Sequence, residues 1–291
     1  MDFVIFDLEW NSGYSKKQKG FINEIIELGA VKLNEEMQIT GQFSIFIRPE
    51  ITRRLNATVR ELTHLTNEDL MHGATFPYAV SKFRKFSEKC VILSWSTSDL
   101  DALEANCTYY FGSQTIPFLK QYADAQAYCQ SVMGTQEKNQ LSLSHAAQLL
   151  SVSTEDIPLH RAVGDSILTA RILQKIYDPR RFADFIRPVD EEFYARLNFH
   201  PVFLCRPDHP LIDREQMFFD CRSCGTRCLQ QEDWKIRNKA FYTVFECPRC
   251  QETFRGRIQF KLCYDGVVIQ KRILAEPPSQ EPEALPEEMT E

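Results

Sequence analysis

Two acids stand two residues apart in Phe6-Asp7-Leu8-Glu9-Trp10. The apolar run before them predicts a strand, and the strand period sends Asp7 and Glu9 to one face while Phe6 and Leu8 point into the core. Neighbouring carboxylates repel, so a half-buried pair calls for a cation, and a hard divalent ion with oxygen ligands suits it. By itself a D-x-E pair more often marks a solvated strand edge. A second acid, Asp99, closes Trp95-Ser96-Thr97-Ser98-Asp99, where a buried strand passes into a helix. Alone it reads as a helix-terminal charge; Asp101 would face another side of that helix, so Asp99 is the preferred candidate. A third acid, Asp165, follows His160 in His160-Arg161-Ala162-Val163-Gly164-Asp165. A loop histidine is usually mere surface, but one held at a fixed spacing from an acid can accept a proton near neutrality.

A separate chemistry is signalled by Cys221-Arg-Ser-Cys224 and Cys247-Pro-Arg-Cys250, which are 22 residues apart. The spacing is that of a two-knuckle zinc ribbon with one structural Zn2+, and Gly225 and Pro248 suit its turns. Cys228 and Cys263 fall outside the pairs and are expected to be spare thiols. Between Cys221 and Arg272 there are 11 Lys or Arg against five acids. Trp234, Phe241, Tyr242, Phe245, Phe254, Phe260 and Tyr264 are interleaved with these cations, as in a nucleic-acid-binding surface, although most of them must form the core of so small a module. An accessory module that grips substrate is the leading reading, and a protein partner at the ribbon or the acidic tail is the competing one.

The elements that must position these residues can be outlined. Strands are expected from Val4, over Ile25 to Leu33, Gln42 to Ile47 and Cys90 to Trp95, and helical spacing recurs at Phe76 to Phe86, Leu143 to Leu150 and Ile167 to Ile176. This is an α/β layout over residues 1–178. A Pro-interrupted linker over 179–210 leads to a strand-rich module at 211–274, with a tight turn at Asp265-Gly266. Residues 275–291 form a Pro/Glu tail expected to be disordered.

Taken together, Phe6-Asp7-Leu8-Glu9, Trp95 to Asp99 and His160 to Asp165 resemble the motifs of the DEDDh exonucleases, which include RNase T, the proofreading epsilon subunit and KapD-like enzymes. Glu24-Ile25-Ile26-Glu27-Leu28-Gly29-Ala30-Val31 is similar to that family's second strand, and Glu61-Leu62-Thr63-His64-Leu65-Thr66 to its substrate-side loop. The resemblance implies an RNase H-like mixed sheet flanked by helices, and two Mg2+ (or Mn2+) ions, one among Asp7, Glu9 and Asp165 and one near Asp7 and Asp99. His160 would be the general base, and nucleoside 5′-monophosphates would leave a 3′ end. Many relatives carry Thr at Trp10, Gly at Ser96 and an acid at Gly164. Trp10 either stacks on the terminal nucleotide or fills a strand-edge core position; with Leu8 and Thr63 it makes up the expected substrate contacts. Lys16, Lys17 and Lys19 are phosphate contacts or a solvated charge run.

Of 40 Asp and Glu against 34 Lys and Arg, six glutamates lie in 275–291, so the remainder is charge-balanced and leaves a polyanionic partner open. No apolar run is long enough for a membrane span, and acids occupy the start where a signal peptide needs bases, so a cytoplasmic protein is expected. The expected partner is single-stranded nucleic acid or a 3′ overhang. Two other readings are a non-catalytic adaptor on a nuclease-like scaffold, opposed by the complete acid set, and an endonuclease, opposed by His160.

Overall fold

The computed structural model describes residues 1–134 and 140–274, in two compact units, Met1–Asn198 and Phe199–Glu291. The tail expected over 275–291 lies outside the described residues. In the first unit β1 (Phe3–Ser15), β2 (Gly20–Leu33) and β3 (Ile39–Phe46) form an antiparallel meander. Three helices follow, α1 (Ala57–Thr63), α2 (Asn67–Met71) and α3 (Phe76–Phe86), before β4 (Val91–Ser94) joins β1 in parallel. After α4 (Ser98–Phe111), β5 (Gln121–Asp124) lies parallel to β4. Then come α5 (Ala125–Met133), α6 (Leu143–Leu149), α7 (Ala162–Ile176), α8 (Pro179–Ala183), β6 (Arg187–Pro188) and α9 (Glu191–Leu197). The strand order is β3-β2-β1-β4-β5-β6, an RNase H-like mixed sheet flanked by helices, as the sequence predicts.

Alternation along β1 builds both core layers at once. Phe3 and Ile5 are buried with Tyr128 of α5 and Leu168 and Ile172 of α7. Val4, Phe6 and Leu8 are buried on the other face with Phe76 and Phe83 of α3 and Leu100 and Leu103 of α4. Each such side chain contributes roughly 1.5–3 kcal/mol by leaving water. The same period carries Asp7 and Glu9 onto the face that α7 covers.

Beyond the expected strand, β1 and β2 continue as a long hairpin through Ser15 and Gly20, with a bulge between Glu9 and Trp10. The expected linker 179–210 divides between the two units: α8, β6 and α9 belong to the first, where β6 pairs with β5. The second unit begins with β7 (Val202–Leu204) and continues with β8 (Leu229–Gln230), β9 (Lys235–Arg237), β10 (Ala240–Glu246), β11 (Thr253–Cys263) and β12 (Gly266–Leu274). Their order is β12-β11-β10-β8, with β7 beside β11 and β9 beside β10. Cys263 pairs with Gly266, so the hairpin turn centres on Tyr264 and Asp265, one residue earlier than expected, and Gly266 at φ 124° closes it. Phe219, Phe241, Phe245, Phe254, Ile258 and Phe260 form this unit's own core.

Candidate active site

Three elements bring the acids together. On β1, Asp7 faces Gly29 of β2 across the ladder and Glu9 faces Glu27. Gly29 has to be glycine: a Cβ there would lie 2.0 Å from the Val163 nitrogen and 2.2 Å from the Ala162 carbonyl carbon. The first turn of α7 therefore rests on bare backbone, and that places Asp165 beside Asp7 and Glu9. One carboxylate oxygen from each of the three lies within 4.8 Å of the others. The buried Ser166 hydroxyl of the same turn donates to the Ala162 carbonyl at 2.8 Å and lies 3.3 Å from the Gly29 carbonyl.

Asp99 arrives from the opposite layer. β4 pairs with β1 only from Phe3 to Ile5, so the strand amides further along lack a partner on that edge. Asp99, buried in the first turn of α4, fills the gap: its Oδ1 accepts from the Leu8 amide at 3.0 Å. Asp101 is exposed. Sequence periodicity pairs Asp7 with Glu9 but gives no sign of this bond, which spans 91 positions.

The electrostatics follow from burial and crowding. Burial and the charges of Asp99, Asp165, Glu9 and Glu27 hold the Asp7 carboxyl well above the usual carboxylate range. Burial, with Asp165 and Glu27 nearby, pushes Glu9 up to about 7. Asp99 rises to about 8 through burial, against the pull of the Leu8 amide. Asp165 is also raised by burial, opposed by the His160 imidazole and backbone amide. His160 is exposed, at φ 57°, immediately before Arg161, which caps α7. Burial and crowding thus favour the protonated carboxyls of Asp7, Glu9, Asp99 and Asp165; a divalent ion can take the protons' place. Magnesium at about 2.1 Å from each oxygen sets ligand oxygens roughly 3–4 Å apart, so small side-chain rotations close the Asp7, Glu9 and Asp165 cluster on one ion.

Sequence spacing assigns no role to a neighbouring pair. Glu27 is fully buried and receives both prongs of Arg161, Nε to Oε2 at 2.9 Å and Nη2 to Oε1 at 3.1 Å. This fork balances the carboxylate opposite Glu9 and fixes the residue that follows His160. Both residues sit within the motifs quoted above, but their separation of 134 positions hides the pairing. Gly164 is explained by packing, since a Cβ there would lie 2.0 Å from the Pro158 oxygen.

The expected substrate contacts separate. Trp10 is half-buried against the α3 and α4 layer. The Leu8 side chain is buried in that layer. Thr63 is buried, its hydroxyl donating to Val59 O at 2.7 Å and accepting from the Leu65 amide at 3.2 Å. Lys17 is engaged with α4: its Nζ donates to Tyr109 O at 2.7 Å and lies over the Tyr109 ring.

In the second unit the four cysteines converge. Sγ of Cys221 lies 3.4 Å from that of Cys250, and Cys224 lies 3.4 Å from Cys247. Thiolates about 2.3 Å from a tetrahedral ion stand roughly 3.8 Å apart, so the cluster fits such an ion. The knuckles match: Gly225 N–H donates to Cys221 O and Gln251 N–H to Cys247 O, both at 2.9 Å. Gly225 and Gln251 have φ of 69° and 58°. The Thr226 hydroxyl beside Cys224 holds its thiol down to about 6. Cys228 is buried outside the cluster and Cys263 lies at the end of β11.

A mixed sheet between helical layers, with acids from β1, α4 and α7 gathered at one place, defines the class of RNase H-like nucleases. Residues 4–173 match the family model described as exonuclease, RNase_T. The chain belongs to that exonuclease family. No curated protein sequence matches it. Among solved structures, a 3′-exonuclease described with histone mRNA stem-loop is similar at 20% identity, with 66% of this chain and 91% of that chain covered and a TM-score of 0.54. The nuclease domain of 3′hExo, described as a DEDDh family member bound to rAMP, is similar at 22% identity, 65% and 96% coverage and a TM-score of 0.53. Cell-death related nuclease 4 is similar at 17% identity, 71% and 69% coverage and a TM-score of 0.51. These likenesses show the fold. Among the described residues no helix is long and apolar enough to cross a membrane.

Proposed function

We propose that the chain is a 3′-to-5′ exonuclease that releases nucleoside 5′-monophosphates from single-stranded nucleic acid or a 3′ overhang. The observation that carries this reading is the convergence of Asp7, Glu9 and Asp165 within 4.8 Å, with Asp99 bonded to the same strand. Asp7, Glu9 and Asp165 would hold one divalent ion, and Asp7 with Asp99 a second, magnesium or manganese by the chemistry of the oxygen donors. Such ions, when bound, activate the attacking water and neutralise charge on the phosphate and the leaving 3′-oxygen. His160 accepts the water's proton, and its exposure before the α7 cap leaves the imidazole in reach of solvent. Arg161 stays on Glu27 and holds the segment that carries His160. The first unit, Met1–Asn198, is the catalytic domain, and the cysteine cluster holds one structural zinc, whose closed four-thiolate shell leaves no place for water.

Matched 5′-labelled single-stranded RNA and DNA, and a duplex carrying a 3′ overhang, incubated with magnesium are expected to shorten stepwise from the 3′ end. His160→Ala is expected to remove nearly all activity. Stepwise shortening that survives Asp7→Ala, or cleavage of a circular strand, would rule the reading out.

A further inference from the structure

One sheet face of the second unit is cationic in a way that its own packing does not require. Alternation along β11 sends Phe254, Ile258 and Phe260 into the core and Arg255, Arg257 and Lys261 to the other side. β12 lies in register with Arg272 directly across from Arg257. On the opposite flank Tyr242 of β10 faces Arg257, and its hydroxyl accepts from Arg257 Nε at 3.1 Å. Lys235 of β9 extends the line beyond Tyr242. Nearby, Lys239 and Lys261 lie 5.0 and 5.8 Å from the centre of the Phe203 ring.

Like charges directly opposite on a sheet are destabilising. Among the described residues Arg255, Arg257, Lys261 and Arg272 form no ion pair within 4.0 Å; of the acids near them, Glu232 is paired with Lys235 at 2.7 Å and also feels Arg255, and Glu246 stands at the far end of β10 opposite Thr253. The unit keeps a repulsive arrangement, although these positions could carry neutral side chains at no cost to the core. A polyanion laid across the face removes the repulsion. Arg255 and Arg257 recur every second residue, about 6.6 Å apart along the strand, a spacing that phosphates of an extended single strand share. Guanidinium forks suit phosphate oxygens.

We propose that this face binds the sugar-phosphate backbone of a single nucleic-acid strand, with Arg255, Arg257, Lys261 and Arg272 on phosphates. That this strand is the enzyme's own substrate rests on the activity proposed above.

The test is fluorescence anisotropy of labelled single-stranded RNA and DNA over a range of salt. It uses the full chain carrying Asp7→Asn, so that the strand survives, with and without Arg255→Ser, Arg257→Ser, Lys261→Ser and Arg272→Ser. The four changes are expected to weaken binding at least about tenfold near 0.1 M salt, and to flatten log K against log salt by about 0.7 for each phosphate no longer neutralised. If the quadruple variant fails to fold, Arg272→Ser on the edge strand is the version to read, with a flattening of about 0.7. Unchanged affinity and slope overturn the inference, as does poly-glutamate displacing the strand as well as a polynucleotide of equal charge. Failure of the two proposals is distinguishable. Stepwise cleavage by the Asp7 chain together with an unaltered salt slope rejects only this surface; binding that depends on the four cations, without any cleavage, rejects only the activity.

Discussion

At the scale of single residues, the acid cluster makes stability depend on pH and on metal together. Asp7, Glu9 and Asp99 hold protons in the folded protein to higher pH than in the unfolded chain, with Glu9 at about 7 and Asp99 at about 8. Between the ordinary carboxylate range and these values the folded state binds more protons than the unfolded one, so stability falls as pH rises. In magnesium-free buffer the melting temperature of the first unit is expected to drop between about pH 5 and 8, and millimolar magnesium is expected to abolish most of that drop. A melting temperature with the same pH profile in both buffers would show that the carboxylates do not share an ion. Ser96 provides a second test. Its φ of 81° lies in the left-handed region, at the position where many relatives carry glycine. Its carbonyl, which accepts from the Tyr122 hydroxyl at 2.9 Å, holds the turn in place. Ser96→Gly is expected to raise the urea midpoint, worth up to about 1 kcal/mol after the glycine's own entropy cost.

At the scale of elements, the site depends on how closely α7 approaches β2. Gly29→Ala sets a methyl group 2.0 Å from backbone that cannot rotate away, so the helix start must move and take Asp165 and His160 with it. The expected result is a loss of about 1–3 kcal/mol in stability and of about 100-fold in kcat, because displacements near 1 Å cost that much. Gly41→Ala is the control: its Cβ would meet the Phe86 ring at 3.4 Å, and it is expected to leave both measurements near wild type. Strands β1 to β4, helices α3, α6 and α7 and the three acidic motifs are legible in the sequence because each rests on a local signal, a period or a short spacing; β5, β6 and the short helices α1, α2, α5, α8 and α9 carry no such signal. The joins between them are not. The Leu8–Asp99 bond and the Arg161–Glu27 fork link distant positions, and nothing local marks either. The hairpin beyond Trp10 escapes a sequence reading because Asn11-Ser12-Gly13 breaks the apolar alternation. Thr63 resembles a substrate contact by motif, whereas the structure engages its hydroxyl within the end of α1.

At the scale of the whole molecule, the two units have separate cores and differ in what stabilises them. The first has two apolar layers on a six-stranded sheet, enough burial for a fold without metal. The second has one small aromatic core, and beside it four thiols whose sulfurs stand 3.4 to 3.9 Å apart across the close pairs. An ion shared by four thiolates supplies folding free energy that so small a core does not. If the four thiolates hold zinc as proposed, Cys247→Ser removes one ligand, and elemental analysis is expected to find zinc in the wild type and none in the variant. It is also expected to lose the low-temperature stability of the second unit, followed through Trp234. The melting transition of the first unit is expected to stay in place, and magnesium-dependent shortening of a labelled strand to persist with a weaker salt dependence. If the Cys247→Ser protein keeps its zinc and melts like wild type, the cysteines do not hold a structural ion; if the first unit unfolds with the second, the two cores are not energetically independent.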